Sequence, residues 1–269
     1  MNLKDILIHI DNRPTCTSRL KTTILLAQRQ SARVTGLYVI PHPYYASHHR
    51  NPLDQAEAAR QNFITQVTEA ELEWEWICVD VVNSGLDLPN ALNLYGHYRD
   101  LVVVSQTDLS HPDRTIPPNL PEKTVLGCGR PVLIVPYAGQ FENLGRQVML
   151  AWRGGPESSR ALHDSMPLLR TADHVQVMTI QGQGGDEAYE AHDADICAHM
   201  ARYNLSLSCE KHVTGGLRVG DLLLNRCADE GIDLLVIGAF SQFRRGHQIL
   251  GETGRYLLEY MTVPVLMSH

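Results

Sequence analysis

The sequence predicts an α/β protein made of two tandem doubly wound domains, each with a five-stranded parallel sheet. Short β-branched runs alternate with helix-period segments along the chain, as in parallel sheets covered on both faces. Asp100 opens DLVVVS 31 residues before Pro131 opens PVLIV (131 − 100). In the second half Asp233 opens DLLVIG 31 residues before Pro264 opens PVLM (264 − 233). A duplicated domain accounts for the repeated spacing.

The elements follow the same order in each half. The strand-like runs of the first half are ILIHI, VTGLYVI, EWICVDVV, LVVVS and PVLIV, with helical patterns such as SRLKTTILLAQRQ between most of them. Those of the second half are QVMLAW, VQVMTI, SLSCEKHV, LLVIG and PVLM. We therefore predict domains at 1–138 and 145–269, joined near YAGQFENLG, whose glycines suit a connector. The two terminal strands predict packing of the halves as a pseudo-dimer, because sheet edges are commonly covered by pairing.

Composition narrows the class of protein. A formal charge of −7 argues against a nucleic-acid partner. No apolar run approaches the roughly 18 residues that a membrane span needs, so we expect no membrane partner. The six cysteines lack CxxC spacing, which fits reduced thiols and a cytoplasmic location.

The order of these motifs resembles the universal stress protein family, here as a tandem pair over nearly the whole chain. The resemblance rests on DILIHID as first strand, DLLVIG as fourth and the terminal VPVLM. It implies a role in stress tolerance through nucleotide or partner binding, without a shared catalytic reaction. It also implies that nucleotide-binding members carry Gly-x2-Gly-x9-Gly-Ser/Thr after the fourth strand.

The second half matches that motif at two of its four positions. Gly238 and Gly251 fill the first and third positions, and Ser241 replaces the second glycine. Glu252, followed by Thr253, stands where Ser or Thr is expected. Glycine lets backbone N–H groups approach phosphate, and a helix N-terminus favours its negative charge. These residues are the candidate nucleotide loop of the second domain.

Glu252 opposes phosphate binding at this loop. Two unit charges ~4 Å apart repel by roughly 1 kcal/mol in water and about 4 kcal/mol at an effective dielectric of 20. Two interpretations stay open: Glu252 is an internal substitute for phosphate, or it is an ordinary first-turn acid. The same loop contains Arg244, Arg245 and His247. Two interpretations of these residues stay open, namely phosphate ligands or surface residues that aid solubility.

The first half has the complementary defect. The resemblance places an acid near the ribose at Asp11 and an adenine contact near Val39, as a remnant site. However, the loop SQTDLSHPDRTIPPNLPEKT has no glycine, and Pro118 aligns with Gly251. Proline has no N–H group to offer, so we predict that this loop binds no phosphate.

Other patterns carry no catalytic site. His192, Asp195 and His199 would share one helical face, which we interpret as a solvated face and not a metal site. The loop at 41–50 is interpreted as an irregular surface loop. No nucleophile elbow, Walker loop or HExxH motif occurs, so we predict no enzyme.

We predict a non-catalytic stress-response binding protein with impaired nucleotide sites and no required cofactor. The alternative is an ATP-binding switch or slow ATPase that uses the second-domain loop. Its expected partners are its own second domain, a possible homodimer copy, and an unknown protein or small ligand.

Overall fold

A computed structural model of the chain describes residues 2–42, 44, 51–181, 193–213, 215–244 and 247–269. The described chain forms two compact units, Asn2–Glu142 and Asn143–His269, named here the N-terminal and C-terminal units. Arg245, His192 and most of the loop at 41–50 lie outside the described residues, as do the side chains of Arg244, His247 and Asp195.

The N-terminal unit is a five-stranded parallel sheet with helices in its crossovers. Its strands lie in the order β3-β2-β1-β4-β5, and each neighbouring pair is parallel. This order reverses between β1 and β4, so the loops that follow those two strands diverge and leave a crevice. The elements are β1 (Asp5–Ile10), α1 (Pro14–Gln30), β2 (Arg33–Ile40), α2 (Pro52–Glu69), β3 (Trp74–Asp80), α3 (Val81–Ser84), α4 (Leu88–Gly96), β4 (Leu101–Ser105), α5 (Leu120–Gly127) and β5 (Val132–Val135).

The C-terminal unit repeats this arrangement and adds a hairpin. Its sheet has the order β12-β9-β6-β7-β8, again with parallel neighbours. The α/β class and the parallel sheets predicted from the sequence are confirmed. The elements are β6 (Gln147–Trp152), α6 (Pro156–Leu169), β7 (His174–Gln181), α7 (Asp193–Ala201), β8 (Leu207–Val213), α8 (Val219–Asp229), β9 (Leu234–Gly238), β10 (Ser241–Arg244), β11 (His247–Leu250), α9 (Glu252–Tyr260) and β12 (Val265–Ser268).

Central strands form the core of each unit because they are apolar on both faces. In β4, Leu101 to Val104 are all buried, and in β9, Leu234 to Val236 are buried. Helix starts are set by local capping: Asn51 accepts a hydrogen bond from the Leu53 amide at the start of α2. In the part of the chain that the structure describes, no helix is long and apolar enough to cross a bilayer.

The segment after β9, which the sequence predicts as the candidate nucleotide loop, is a hairpin. Strands β10 and β11 are antiparallel, and Ser241 pairs with Leu250. The hairpin closes on α9, because the Gly251 amide donates to the Phe240 carbonyl at 2.8 Å. A ladder of this kind uses backbone groups that an open loop would present to a ligand.

The expectation that all six thiols are reduced is wrong for one pair. Cys197 of α7 and Cys209 of β8 form a disulfide, while Cys16, Cys78, Cys128 and Cys227 are free. Their spacing of 12 residues matches no short cysteine motif. The pair meets because the helix folds back onto the strand that follows it.

Candidate ligand-binding cleft

The N-terminal unit has a cleft of about 1520 Å³ where β1 and β2 end. The first turn of α1 and the loop between β4 and α5 form its other walls, which places it at the crevice set by the strand order. Asp11 and Val39, predicted as a remnant site, both line this cleft. Apolar side chains cover much of its surface, namely Ile10, Val39, Pro41, Val81, Leu88 and Ile116.

A buried arginine holds Asp11 in place. Arg19, on the first turns of α1, is 1% exposed, and its Nη2 donates to Asp11 Oδ2 at 2.9 Å. Its Nε donates to the His9 carbonyl at 2.7 Å and its Nη1 donates to Ser105 Oγ at 2.5 Å. The guanidinium thus joins the ends of β1 and β4. A buried arginine needs such partners, because an unpaired buried charge is strongly unfavourable.

Burial and charge oppose each other in setting the pKa of Asp11. Burial raises it, but the positive charge of Arg19, with His9 and the Arg13 amide, outweighs burial and lowers the pKa below its usual 3.8. His9 is affected chiefly by burial, which together with the charge of Arg19 lowers its pKa to about 3. Near neutral pH the cleft floor therefore holds an ionised Asp11 and a neutral His9.

A tyrosine near the end of β2 also lines the cleft and is held by its neighbours. Tyr38 is buried, and its hydroxyl accepts a hydrogen bond from Asn12 Nδ2 at 3.0 Å. Burial, followed by the negative charge of Asp11, raises the pKa of Tyr38 to about 12. The same Asn12 amide also contacts the Gln55 carbonyl of α2 at 3.3 Å. These contacts tie β1, β2 and α2 together beside the cleft.

Two carboxylates close the loop between β4 and α5 on itself. Asp108 Oδ1 accepts from the Ser110 amide at 2.9 Å and the His111 amide at 3.3 Å. Asp113 Oδ1 accepts from the Thr115 amide at 2.8 Å and from the Thr115 hydroxyl at 2.7 Å. These contacts are Asx turns, in which a side chain takes amides that a bound anion would otherwise use.

Arg13 connects this loop to the first turn of α1. Its Nη2 donates to the His111 carbonyl at 2.9 Å. Desolvation raises the pKa of Asp108, but hydrogen bonds from the His111 ring and from the Ser110 and His111 amides together outweigh it and lower the pKa below its usual value. Arg13 and the exposed Arg114 both line the cleft, alongside the acids Asp87, Asp108 and Asp113.

In the C-terminal unit, Gly238 has a packing reason to be glycine. A Cβ at this position would lie 2.5 Å from the Glu157 carbonyl carbon and 2.7 Å from the Ser158 nitrogen. Those are backbone atoms of the first turn of α6, so a side chain has no room. Gly251 is less tightly constrained, since its Cβ would lie 3.1 Å from the Phe240 ring and 3.2 Å from the Phe240 carbonyl oxygen.

The other predicted residues of this loop lie around the hairpin. Ser241 Oγ accepts from Gln248 Nε2 at 2.7 Å, and exposed Glu252 and half-buried Thr253 begin α9. Arg153, the counterpart of Asp11, lies over the Phe240 ring at 5.6 Å. The structure thus gathers Gly238, Ser241, Gly251, Glu252 and Thr253 in one unit, and Asp11 and Val39 in the other.

The predicted histidine face has one member whose side chain is described. The His199 ring lies 5.3 Å from the Tyr203 ring and 6.5 Å from the His163 ring. Among the described residues, no group of three or more His, Cys, Asp or Glu side chains is placed to hold a metal ion.

Sequence reasoning missed Arg19, His9 and Tyr38. A signal for Arg19 exists, because it falls on the same helical stripe as buried Cys16 and Thr23. The Asx turns at Asp108 and Asp113 have a signal too, in DLS and DRT, since Asp two residues before a turn amide commonly accepts from it.

No protein-family model matches this chain, and no curated protein matches its sequence. Solved structures do match. A universal stress protein from Archaeoglobus fulgidus aligns with a TM-score of 0.73 and 13% identity, over 98% of this chain and 95% of its own. A protein of unknown function from Pseudomonas aeruginosa aligns with a TM-score of 0.68 and 15% identity, over 99% of this chain and 92% of its own. The chain therefore has the fold of a universal stress protein along nearly its whole length, as the sequence resemblance predicts.

Proposed function

We propose that this chain is a non-catalytic, stress-response binding protein that takes a small organic ligand in the N-terminal cleft. The observation that carries the proposal is the cleft itself. It is about 1520 Å³, lies where parallel strands β1 and β2 end, and sits at the reversal of strand order. Ligands of open α/β sheets bind at that place, in pockets that are mostly apolar with a few polar groups.

The lining favours a ligand with an apolar body and a small polar end. Ile10, Val39 and Leu88 offer apolar contact, while Arg13 and Arg114 offer donors at the loop side. The four acids of the cleft already accept hydrogen bonds from the protein, as Asp87 does from the Asn90 amide at 3.0 Å. The ligand is therefore expected to be held by shape and by the arginines.

Weak triphosphate binding follows from the backbone of both units. The amides of Ser110, His111 and Thr115 donate to carboxylates in the N-terminal unit. In the C-terminal unit the Gly251 amide donates to a carbonyl, and Glu252 adds a negative charge at the start of α9. Each occupied amide removes a donor that phosphate binding requires.

A non-catalytic role is supported by the chemistry of the cleft floor. Asp11 is paired with Arg19 and has a lowered pKa, so it is a weak general base. His9 is 3% exposed and its pKa of about 3 is far from the range of an acid–base catalyst at neutral pH. The pseudo-dimer, a further homodimer, a protein partner and the cytoplasmic location stay predictions.

The experiment is mass spectrometry of small molecules released from the purified full-length protein, followed by binding to a cleft-filling variant. Val39→Trp fills the cleft, and Val213→Trp, at an exposed valine of the C-terminal unit, is the matched control. We expect one organic molecule that binds wild type and Val213→Trp but binds Val39→Trp at least about tenfold more weakly. Equal binding to both variants would contradict the proposed site, and a released ATP molecule would favour the nucleotide alternative.

A further inference from the structure

The disulfide joins a helix to the outermost strand of the C-terminal sheet. Strand β8 is last in the order of that unit, and α7 packs against it. Cys209 lies in β8 and is exposed, whereas Cys197 of α7 is half-buried. Their Cα atoms are 6.5 Å apart, within the span that a disulfide bridges. The residue that carries one of the two sulfurs is therefore exposed to solvent.

The N-terminal unit makes the equivalent contact without cysteine. Trp74 pairs with Val34 in register as Leu207 pairs with Val175, so Trp76 is the counterpart of Cys209. The Trp76 ring lies 5.5 Å from the ring of Phe63, a wholly buried residue of α2. Helix and outermost strand are thus joined by aromatic packing in one unit and by a covalent bond in the other.

Helix α7 has few other anchors among its described side chains. It spans nine residues, and a helix this short is marginal without tertiary contacts. Ile196 and Met200 are its buried apolar residues. By contrast, α2 has 18 residues and buries Ala56, Ala59, Phe63 and Val67. The position of α7 on β8 consequently depends strongly on the bond between Cys197 and Cys209. In the N-terminal unit, the position of α2 on β3 is shared among several buried side chains.

We propose that Cys197 and Cys209 form a reversible thiol–disulfide exchange site whose partner is a dithiol reductant, small or protein-borne. A reductant thiolate attacks Cys209 Sγ, the sulfur–sulfur bond breaks, and Cys197 leaves as a thiolate. The second reductant thiol then attacks the mixed disulfide and releases Cys209. The pair gains two electrons and two protons and becomes two thiols, while the dithiol becomes a disulfide. Reduction loosens α7 from β8 and leaves the N-terminal cleft unchanged.

Exposure and position distinguish this site from a purely structural bridge. Buried structural disulfides resist exchange because a thiolate cannot reach either sulfur. Cys209 is exposed, and no strand beyond β8 covers it among the five strands of its sheet. In a compartment that keeps thiols reduced, a disulfide of this kind is expected to be transient and responsive.

Thiol counting with an alkylating reagent tests the exchange chemistry. Protein purified without reductant and then unfolded should be alkylated at the four free cysteines only. Protein treated in its native state with dithiothreitol, a dithiol, should add Cys197 and Cys209. A native protein whose pair stays unreactive to dithiothreitol, or never oxidises, would overturn the proposal.

Hydrogen exchange read by mass spectrometry tests the conformational consequence. We expect reduction to speed amide exchange in peptides covering 193–213 by about tenfold, and to change peptides covering 52–80 by less than about twofold. The variant C197A/C209A should exchange like the reduced protein under both conditions. The control C78A, at an exposed free cysteine of β3, should keep the wild-type redox response. Unchanged exchange in 193–213 on reduction would also overturn the proposal.

Discussion

The segments after β4 and after β9 occupy the same place in the two units, yet they satisfy their backbones in different ways. After β4, the carboxylates of Asp108 and Asp113 accept hydrogen bonds from the amides of the loop. After β9, the chain forms the hairpin β10–β11, and its last amide, at Gly251, donates to Phe240. The backbone of a phosphate-type loop can therefore be satisfied either by internal anions or by internal β-pairing.

The residues that lie beneath the two segments differ as well. In the N-terminal unit, Arg19 links Asp11 to Ser105 under the loop. In the C-terminal unit, Gly238 replaces Ser105 and packs directly on the backbone of Glu157. One unit therefore depends on a buried ion pair at this place, and the other depends on the absence of a side chain.

The largest expected effect is on the ion pair. Arg19→Met leaves Asp11 buried without its partner and should lower the free energy of unfolding of the N-terminal unit by about 3–5 kcal/mol. Arg153→Met, at the exposed counterpart of Asp11, should change stability by less than about 1 kcal/mol. Urea unfolding in a Trp152→Phe background reports the N-terminal unit through Trp74 and Trp76, and unfolding in a Trp74→Phe, Trp76→Phe background reports the C-terminal unit of Arg153→Met through Trp152.

The double variant D11N/R19M serves as the control for that measurement. It should recover part of the loss, because no unpaired charge is left buried. If Arg19→Met were as mild as Arg153→Met, the buried pair would not hold the N-terminal site together.

The second prediction concerns pH and His9. Its folded pKa of about 3 lies below the usual 6.5, so the unfolded state binds the proton first. Stability is therefore full above about pH 6.5 and falls by roughly 1.4 kcal/mol per pH unit on the way down to about pH 3. Asp11, with a lowered pKa, adds a further loss only below about pH 4.

Urea unfolding of wild type and His9→Gln at several pH values checks this dependence. Between pH 6 and pH 4 the wild-type free energy of unfolding should fall with the slope expected for one titrating group. The variant should lose most of that slope, whatever its stability at pH 7. Parallel pH curves for the two proteins would show that His9 is not the titrating group.

The third prediction separates packing from ligand binding at Gly238. Gly238→Ala places a Cβ against backbone atoms and should lower the stability of the C-terminal unit by about 1–3 kcal/mol in the absence of any ligand. Gly254→Ala is the comparison, because its Cβ would lie 2.7 Å from the Leu250 side chain, which can shift more easily than the backbone beside Gly238, and because alanine favours a helix. Thermal unfolding of both variants measures the two changes in stability. If Gly238→Ala left the stability unchanged, close packing would not explain why this residue is glycine.

The fold could be predicted from the sequence. The structures of the segments after β4 and after β9 could be predicted only in part. The 31-residue repeat and the apolar runs were enough to predict two parallel sheets. The hairpin was not predicted, because SQFR and HQIL lack the β-branched alternation by which a strand is recognised. Arg19 was missed because arginines on helices are usually exposed, and burial depends on partners from β1 and β4 that are distant in sequence.

The disulfide was beyond sequence reasoning for a similar reason. A separation of 12 residues fits many loops, and only the return of β8 alongside α7 brings Cys197 and Cys209 together. Gly238 ends the fourth strand of its unit, and Gly251 lies directly before α9. Both glycines pack closely, on Glu157 and on Phe240, and the sequence alone could not predict these contacts because they depend on the three-dimensional fold.

The smallest expected effect is on nucleotide affinity in the C-terminal unit. Ser241→Gly with Glu252→Ser restores the motif residues but leaves the hairpin and the Gly251 hydrogen bond in place. We expect ATP binding to tighten by less than about tenfold, although removing the charge contact alone would allow more. Calorimetric titration measures the change, and a gain of about a hundredfold would show that Glu252 alone blocks the site.

Titration of the wild-type full-length protein with ATP tests most directly the claim that both phosphate loops are closed internally. We expect a Kd of about 1 mM or weaker by calorimetry, because the Ser110, His111, Thr115 and Gly251 amides already donate within the protein and Glu252 places a negative charge at the start of α9. A Kd below about 10 μM, with the phosphates seated on amides of 106–119 or 238–252 in a crystal structure of the complex, would contradict it.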